Sequence, residues 1–180
     1  MIHTIIVKRV LREAVQVPYG NLVTRSTGAA VRTSIERAIA ATGCTTALLD
    51  FAEVGLLDFS CADEVIAKLL LRTEPQVDRY VVLRGLREDH SEAIDHVLNH
   101  HRLAVLALPG PGTAPTVLGR ASPDLRVALA GVLRLRVGDA SCLAELLGWT
   151  IERAADALQS LALLRLLRAD AGQFQLIPVQ

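Results

Sequence analysis

"GLLDFSCADEVIAKLL", residues 55–70, runs from an apolar stretch through an Asp-Phe-Ser-Cys turn into a helical pattern. Helical spacing puts Val65, Ile66, Leu69 and Leu70 on one face and Asp63, Glu64 and Lys68 on the other. Immediately upstream, "TALLDF" (46–51) has the continuous apolar character of a buried strand. Strand, sharp corner and amphipathic helix in that order are one round of an α/β alternation, so the fold turns on whether the pattern recurs.

It recurs on both sides. "HTIIVKRV" (3–10) reads as a strand or a short amphipathic segment, and "NLVTR" (21–25) as a short extended one. "STGAAVRTSIERAIAAT" (26–42) carries Val31, Ile35, Ala38 and Ile39 at helical spacing, with Ser26 or Thr27 able to cap it. Beyond "TEPQ" (73–76) follow a strand in "YVVLRGL" (80–86), a helix in "SEAIDHVLNHH" (91–101) and a strand in "LAVLAL" (103–108). Alternation of this kind predicts an α/β fold, a sheet with covering helices.

"LPGPGTAP" (108–115) ends the alternation, because its prolines and glycines interrupt both helical and ladder hydrogen bonding. It marks a boundary: residues 1–109 form the α/β domain, 110–120 a Pro/Gly linker, and 121–180 a second, smaller domain. In the latter, "SPDLRVALAGVLRLR" opens a helix with Ser122 as cap and Pro123 at the first helical position. "DASCLAELLG" is a short helix closed by Gly148, and "TIERAADALQSLALL" a third capped by Thr150. "RLLRADAGQFQLIPV" reads as a hairpin with Gly172 in its turn.

Composition narrows the function. A chain of 180 residues, 51% apolar and 21% charged, is folded and globular. Aromatic residues are only 3%, which disfavours base-stacking platforms and aromatic ligand cages. Nineteen basic and nineteen acidic residues cancel, so no global field draws in nucleic acid or an anionic membrane. Cys44, Cys61 and Cys142 are odd in number and far apart, which suggests neither a disulfide framework nor a zinc site and fits a reducing cytoplasm. The N-terminal stretch lacks secretory-signal features, and no apolar run reaches the roughly 20 residues that span a bilayer. A cytoplasmic protein without a membrane partner is expected.

"TALLDFAEVGLLDFSCADEVIAKLLLR" (46–72) resembles the STAS family, the fold of bacterial anti-sigma-factor antagonists. Together with "GNLVTRSTGAAVRTSIERAIA" (20–40) it looks most like the divergent STAS-like branch, in which Ala-Asp-Glu follows the turn. The resemblance covers roughly residues 15–108 and implies a STAS-like mixed sheet with covering helices. It implies that Asp50 ends the strand, that Asp58 is the second Asp of the motif, and that Ser60 stands where the family's phosphorylated serine sits. Two positions depart from the pattern: Phe59 replaces a small polar residue and Cys61 a glycine.

Ser60 therefore has two readings. A helix start presents unpaired N–H groups that hold phosphate, making Ser60 a candidate phosphoacceptor and switch. Asp58, Asp63 and Glu64 would repel that charge, and the simpler reading is an N-cap contributing about 1 kcal/mol. In either case Asp58, Phe59, Ser60, Cys61, Asp63 and Glu64 form the expected partner-binding face. Cys61 at the helix start could have a lowered thiol pKa, but its acidic neighbours favour a plain packed cysteine. Glu92, His96 and His100 lie four apart on one helical face, yet without a third ligand from a defined place they read as a solvated stripe, and no metal is expected. No nucleotide-binding loop or nucleophile–base–orienter set is visible, so neither a cofactor nor an enzymatic activity is expected.

The C-terminal domain, "CLAELLGWTIERAADALQSLALLRLLR" in particular, resembles the winged helix-turn-helix of transcription regulators, with Arg165 where that family usually has glycine. Trp149, Thr150, Arg153, Gln159 and Arg168 are the candidate nucleic-acid contacts, opposed by Glu152, Asp156 and Asp170. Six charges of each sign lie from residue 121 onward, short of the basic patch that phosphate-dominated affinity needs. The expected function is a non-catalytic bacterial regulator that associates with a regulatory protein, kinase or anti-sigma-like, through the STAS-like domain, with homodimerisation possible and the winged helix as output. The alternative is a direct DNA-binding transcription factor whose first domain senses a ligand or dimerises.

Overall fold

Apolar runs of five residues with both faces filled make strands that need helices beside them. The computed structural model, which describes residues 1–16, 20–74, 77–110, 112–136, 138–170 and 173–179, arranges them so. In chain order the first unit holds β1 (Ile2–Ile6), α1 (Val7–Val15), α2 (Arg25–Thr42) and β2 (Thr46–Asp50). A helical stretch follows, built from α3 (Phe59–Ala62), a π-helical turn (Asp63–Ala67) and α4 (Lys68–Arg72). β3 (Tyr80–Arg84), α5 (Glu88–His101), β4 (Ala104–Leu108) and β5 (Thr116–Gly119) complete it.

The sheet runs in sequence order from β1 to β5. β1 to β4 are mutually parallel and β5 is antiparallel to β4, so the sheet is mixed. Ile5, Ala47, Leu49, Val81, Leu83, Val105 and Ala107 alternate onto one face and share a single core with buried residues of α1, α2, the 59–72 helical stretch and α5. Side chains of Ile2, Thr4, Leu48, Val82 and Leu106 alternate to the other face.

The structure revises the sequence reading at several points. α1 begins directly at the end of β1 and buries Val7, Val10 and Leu11; the segment 3–10 is thus strand and helix in succession. Thr24, not Ser26 or Thr27, caps α2, its hydroxyl accepting from Thr27 N–H at 3.2 Å. The Pro/Gly segment 110–120 is not linker throughout, since β-branched Thr116 and Val117 pair with Ala107 and Leu106. Gly85, at φ +68°, lies where a Cβ would sit 2.6 Å from the Ala52 amide, so the loops at the carboxyl ends of β2 and β3 can touch only through a glycine.

Ala121–Pro178 forms the second compact unit, with α6 (Pro123–Leu135), α7 (Ala140–Leu147), α8 (Ile151–Leu163) and a hairpin of β6 (Arg168–Asp170) and β7 (Gln173–Gln175). Ser122, Asp139 and Thr150 cap the three helices, and Gly148 ends α7 in the left-handed conformation. Leu129, Val132, Leu143, Leu158, Leu161, Leu166, Leu167 and Ile177 are buried here. Arg165 takes φ +58° just after α8. Gly172, read as the hairpin turn, lies outside the described residues. Among the described residues no helix is long and apolar enough to cross a membrane.

Candidate functional site

The corner after β2 is built by two chain segments holding each other. Leu22 forms a parallel bridge with Leu57, Leu22 N–H donating to Leu56 C=O at 2.8 Å and Asp58 N–H to Leu22 C=O at 3.0 Å. His90, which the sequence reading passed over, fixes the other side. It is fully buried; Arg87 N–H donates to its Nδ1, which leaves the proton on Nε2 to donate to Gly55 C=O at 2.6 Å. A lone histidine in a helical pattern carries no signal of such a role.

At the corner itself Asp58, not Ser60, is the N-cap: its Oδ1 accepts from Cys61 N–H at 2.8 Å. Ser60 Oγ donates to that same oxygen at 2.8 Å and is half-buried. The expectation that the Ser60 hydroxyl caps the helix is therefore corrected. A carboxylate in the earlier position reaches the free N–H first, and the hydroxyl is left to support the carboxylate. Phe59 and Leu56 stand out at 51% and 55% exposure, and Val23, next to the bridge, is exposed as well. Phe59 meets the ring of exposed His96 edge-on, centroids 4.9 Å apart.

No protein-family model and no curated protein sequence matches the chain.

Two of the expected contact residues turn inward. Cys61 is fully buried, its Sγ donating to Thr24 C=O at 2.9 Å. Burial, reinforced by the Asp58 charge, pushes its thiol up to about 12, so the lowered pKa considered for a helix start is overturned. Glu64 is 4% exposed rather than on a solvated face. Its carboxylate meets the buried Arg32 at 2.5 Å, Arg25 at 3.0 Å, and Lys68 from the next turn. Gly28 admits this arrangement: a Cβ there would stand 2.9 Å from the Glu64 Cβ, so α2 approaches the π-helical turn at its glycine.

Asp63 completes the ion cluster, reaching Arg25 at 2.8 Å and His101 Nε2 at 2.7 Å. Burial acts to raise the Asp63 carboxyl, but the hydrogen bonds from Arg25 and His101 outweigh it and hold it below its ordinary value. The same balance, burial against Lys68, Arg25 and Arg32, holds Glu64 low. Of the expected face, Asp58, Phe59, Ser60 and Asp63 thus remain at the surface, joined by Leu56 and Val23, which the sequence reading missed, and by His96, which it placed only in a solvated stripe. Glu92, His96 and His100 line a shallow outer face of α5. Among the described residues no three His, Cys, Asp or Glu side chains are placed to hold a metal ion.

In the second unit, Trp149, Thr150 and Arg153 come together at the start of α8. Thr150 Oγ is engaged in capping Arg153 N–H, and the Arg153 guanidinium lies over the Trp149 ring at 4.2 Å while pairing with Asp124 at 2.7 Å. Gln159 is exposed farther along α8, on the outward face it shares with Glu152 and Asp156, and Arg168 sits half-buried on β6.

Proposed function

We propose that the chain is a non-catalytic bacterial regulatory protein that associates with a partner protein through the corner at residues 56–63, its first unit STAS-like and its second a winged helix-turn-helix serving as output in transcription regulation. Phe59 carries the reading: a large aromatic ring half in solvent, beside exposed Leu56 and a polar helix start, is the kind of anchor protein interfaces bury. The order of strand, Asp50, corner, Asp58 and helix supports the STAS-like part. Three capped helices followed by a hairpin support the winged helix.

Ser60 can switch such a surface without catalytic machinery. Its hydroxyl proton is held by Asp58, and a phosphate in its place would set nearly two negative charges beside the cap that fastens the helix start. Repulsion would displace Asp58 from Cys61 N–H and alter the face on which Phe59 stands. Output through protein rather than DNA is favoured by Arg153, whose charge is already shared with Asp124 and Trp149.

The test is partner capture with the intact chain, its Phe59→Asp variant and the pair Ser60→Ala and Ser60→Glu. Loss of a defined partner with Phe59→Asp and with Ser60→Glu, but not with Ser60→Ala, supports the reading. A partner set untouched by Phe59→Asp rejects the corner, and duplex DNA as the bound species would favour the direct transcription-factor alternative.

A further inference from the structure

We infer that the chain pairs with a second copy of itself through the outer edge of β1, joining two sheets antiparallel across a two-fold axis. This surface is separate from the corner at Phe59, and nothing in the inference depends on that corner. β1 is an edge strand: among the described residues it is hydrogen-bonded to β2 alone. An edge strand exposes a row of unpaired N–H and C=O groups that template another strand unless something guards them. The other edge is guarded, because β5 is four residues long, Pro115 precedes it, and Gly119 at φ +89° ends it. β1 reads Ile-His-Thr-Ile-Ile, with no proline, lysine or bulge.

Alternation determines the register. Thr46 N–H donates to Met1 C=O, so Met1, and with it His3 and Ile5, turn their backbone groups toward β2. Ile2 and Thr4 accordingly point both groups at the open edge, and Ile6 its N–H, the Ile6 C=O being taken up by the first turn of α1. Only outward-pointing residues can pair across the axis, and a strand of five residues is centred on Thr4. Thr4 then exchanges N–H···O=C bonds with the other copy's Thr4, and each Ile6 N–H meets the other copy's Ile2 C=O. On the face away from the helices this sets Thr beside Thr and Ile beside Ile, the β-branched cross-strand pairs that stabilise antiparallel ladders.

The measurement is the molar mass of the intact chain in solution, by light scattering across a concentration series, for wild type, Thr4→Pro, Thr4→Lys and Thr4→Glu. Thr4→Pro removes a donor that points away from β2, so the sheet within each chain is left intact while pairing is lost. Thr4→Lys and Thr4→Glu each oppose like charges across the axis. Expected are a concentration-dependent dimer for wild type, monomers for each variant alone, and a recovered dimer when the Lys and Glu variants are mixed. A wild-type monomer at the highest soluble concentration overturns the inference. So does a dimer that survives Thr4→Pro, and if that variant fails to fold, a Lys–Glu mixture that stays monomeric overturns it.

Discussion

At the scale of single residues the informative position is Glu64. Period 3.6 places it with Asp63 and Lys68 in solvent, but the π-helical turn widens the helix by one residue there and turns Glu64, Val65, Ile66 and Ala67 inward together. No sequence period encodes such an insertion, and Arg32, its partner, sits among Val31 and Ile35 with nothing to distinguish it from a solvated arginine. Glu64→Gln leaves the buried Arg32 with only the Glu36 carboxylate, at 3.5 Å, and should lower unfolding free energy by about 3 kcal/mol. The double variant Arg32→Met/Glu64→Met should cost much less than the sum of its single changes. Urea denaturation of wild type, Glu64→Gln, Arg32→Met, Glu64→Met and the double variant makes both comparisons. The pH dependence has a definite sign. Asp63 and Glu64 are held below their ordinary values of 3.8 and 4.5, so their contribution is complete above that range and is lost as pH falls through and below it. The urea midpoint should decline below about pH 4.5 in wild type, and less steeply in Glu64→Gln.

At the scale of elements, the buried strands were legible as continuous apolar runs and the long helices by their period. β2, β3 and β4 fall within the apolar runs 46–51, 80–86 and 103–108, and Ser122, Pro123, Gly148 and Thr150 punctuate the later helices as side-chain chemistry requires. α1 was not legible because Ile6 passes into Val7 with no capping side chain and no breaker, so strand and helix share one apolar run. The corner was legible in position but not in its internal assignment. Asp58 Oδ1 accepts from both the Cys61 amide and the Ser60 hydroxyl, so Asp58→Ala should cost about 1 kcal/mol while Ser60→Ala costs a fraction of that. Thermal unfolding of the two variants gives the order directly; a larger loss for Ser60→Ala would return the capping role to serine. Arg165 is the converse case, where the side chain does not suit the backbone conformation it takes. At φ +58° it holds a left-handed conformation that glycine adopts without steric penalty, and Arg165→Gly should raise stability by about 1 kcal/mol in the same assay.

At the scale of the whole molecule, neutrality is the property that separates the two outputs proposed for the second unit. A duplex-binding protein gains affinity by releasing counterions, with a salt slope of about −0.9 for each phosphate neutralised. This chain balances nineteen basic against nineteen acidic groups, and from residue 121 onward six against six. Local arrangement deepens the deficit: Glu152 and Asp156 face outward on α8, the helix that would enter a groove, while Arg153 is committed to Asp124 and Trp149. Duplex DNA should therefore not be retarded by the intact chain even at low salt. If acidity on α8 is what prevents it, Glu152→Gln/Asp156→Asn should produce weak binding that disappears with added salt, whereas Asp124→Asn, which frees Arg153, should add a single phosphate contact and steepen the slope by about one. Electrophoretic mobility shifts over a salt series distinguish these outcomes. Strong, salt-steep binding by the wild-type chain would show instead that the second unit reads nucleic acid with the charges it has.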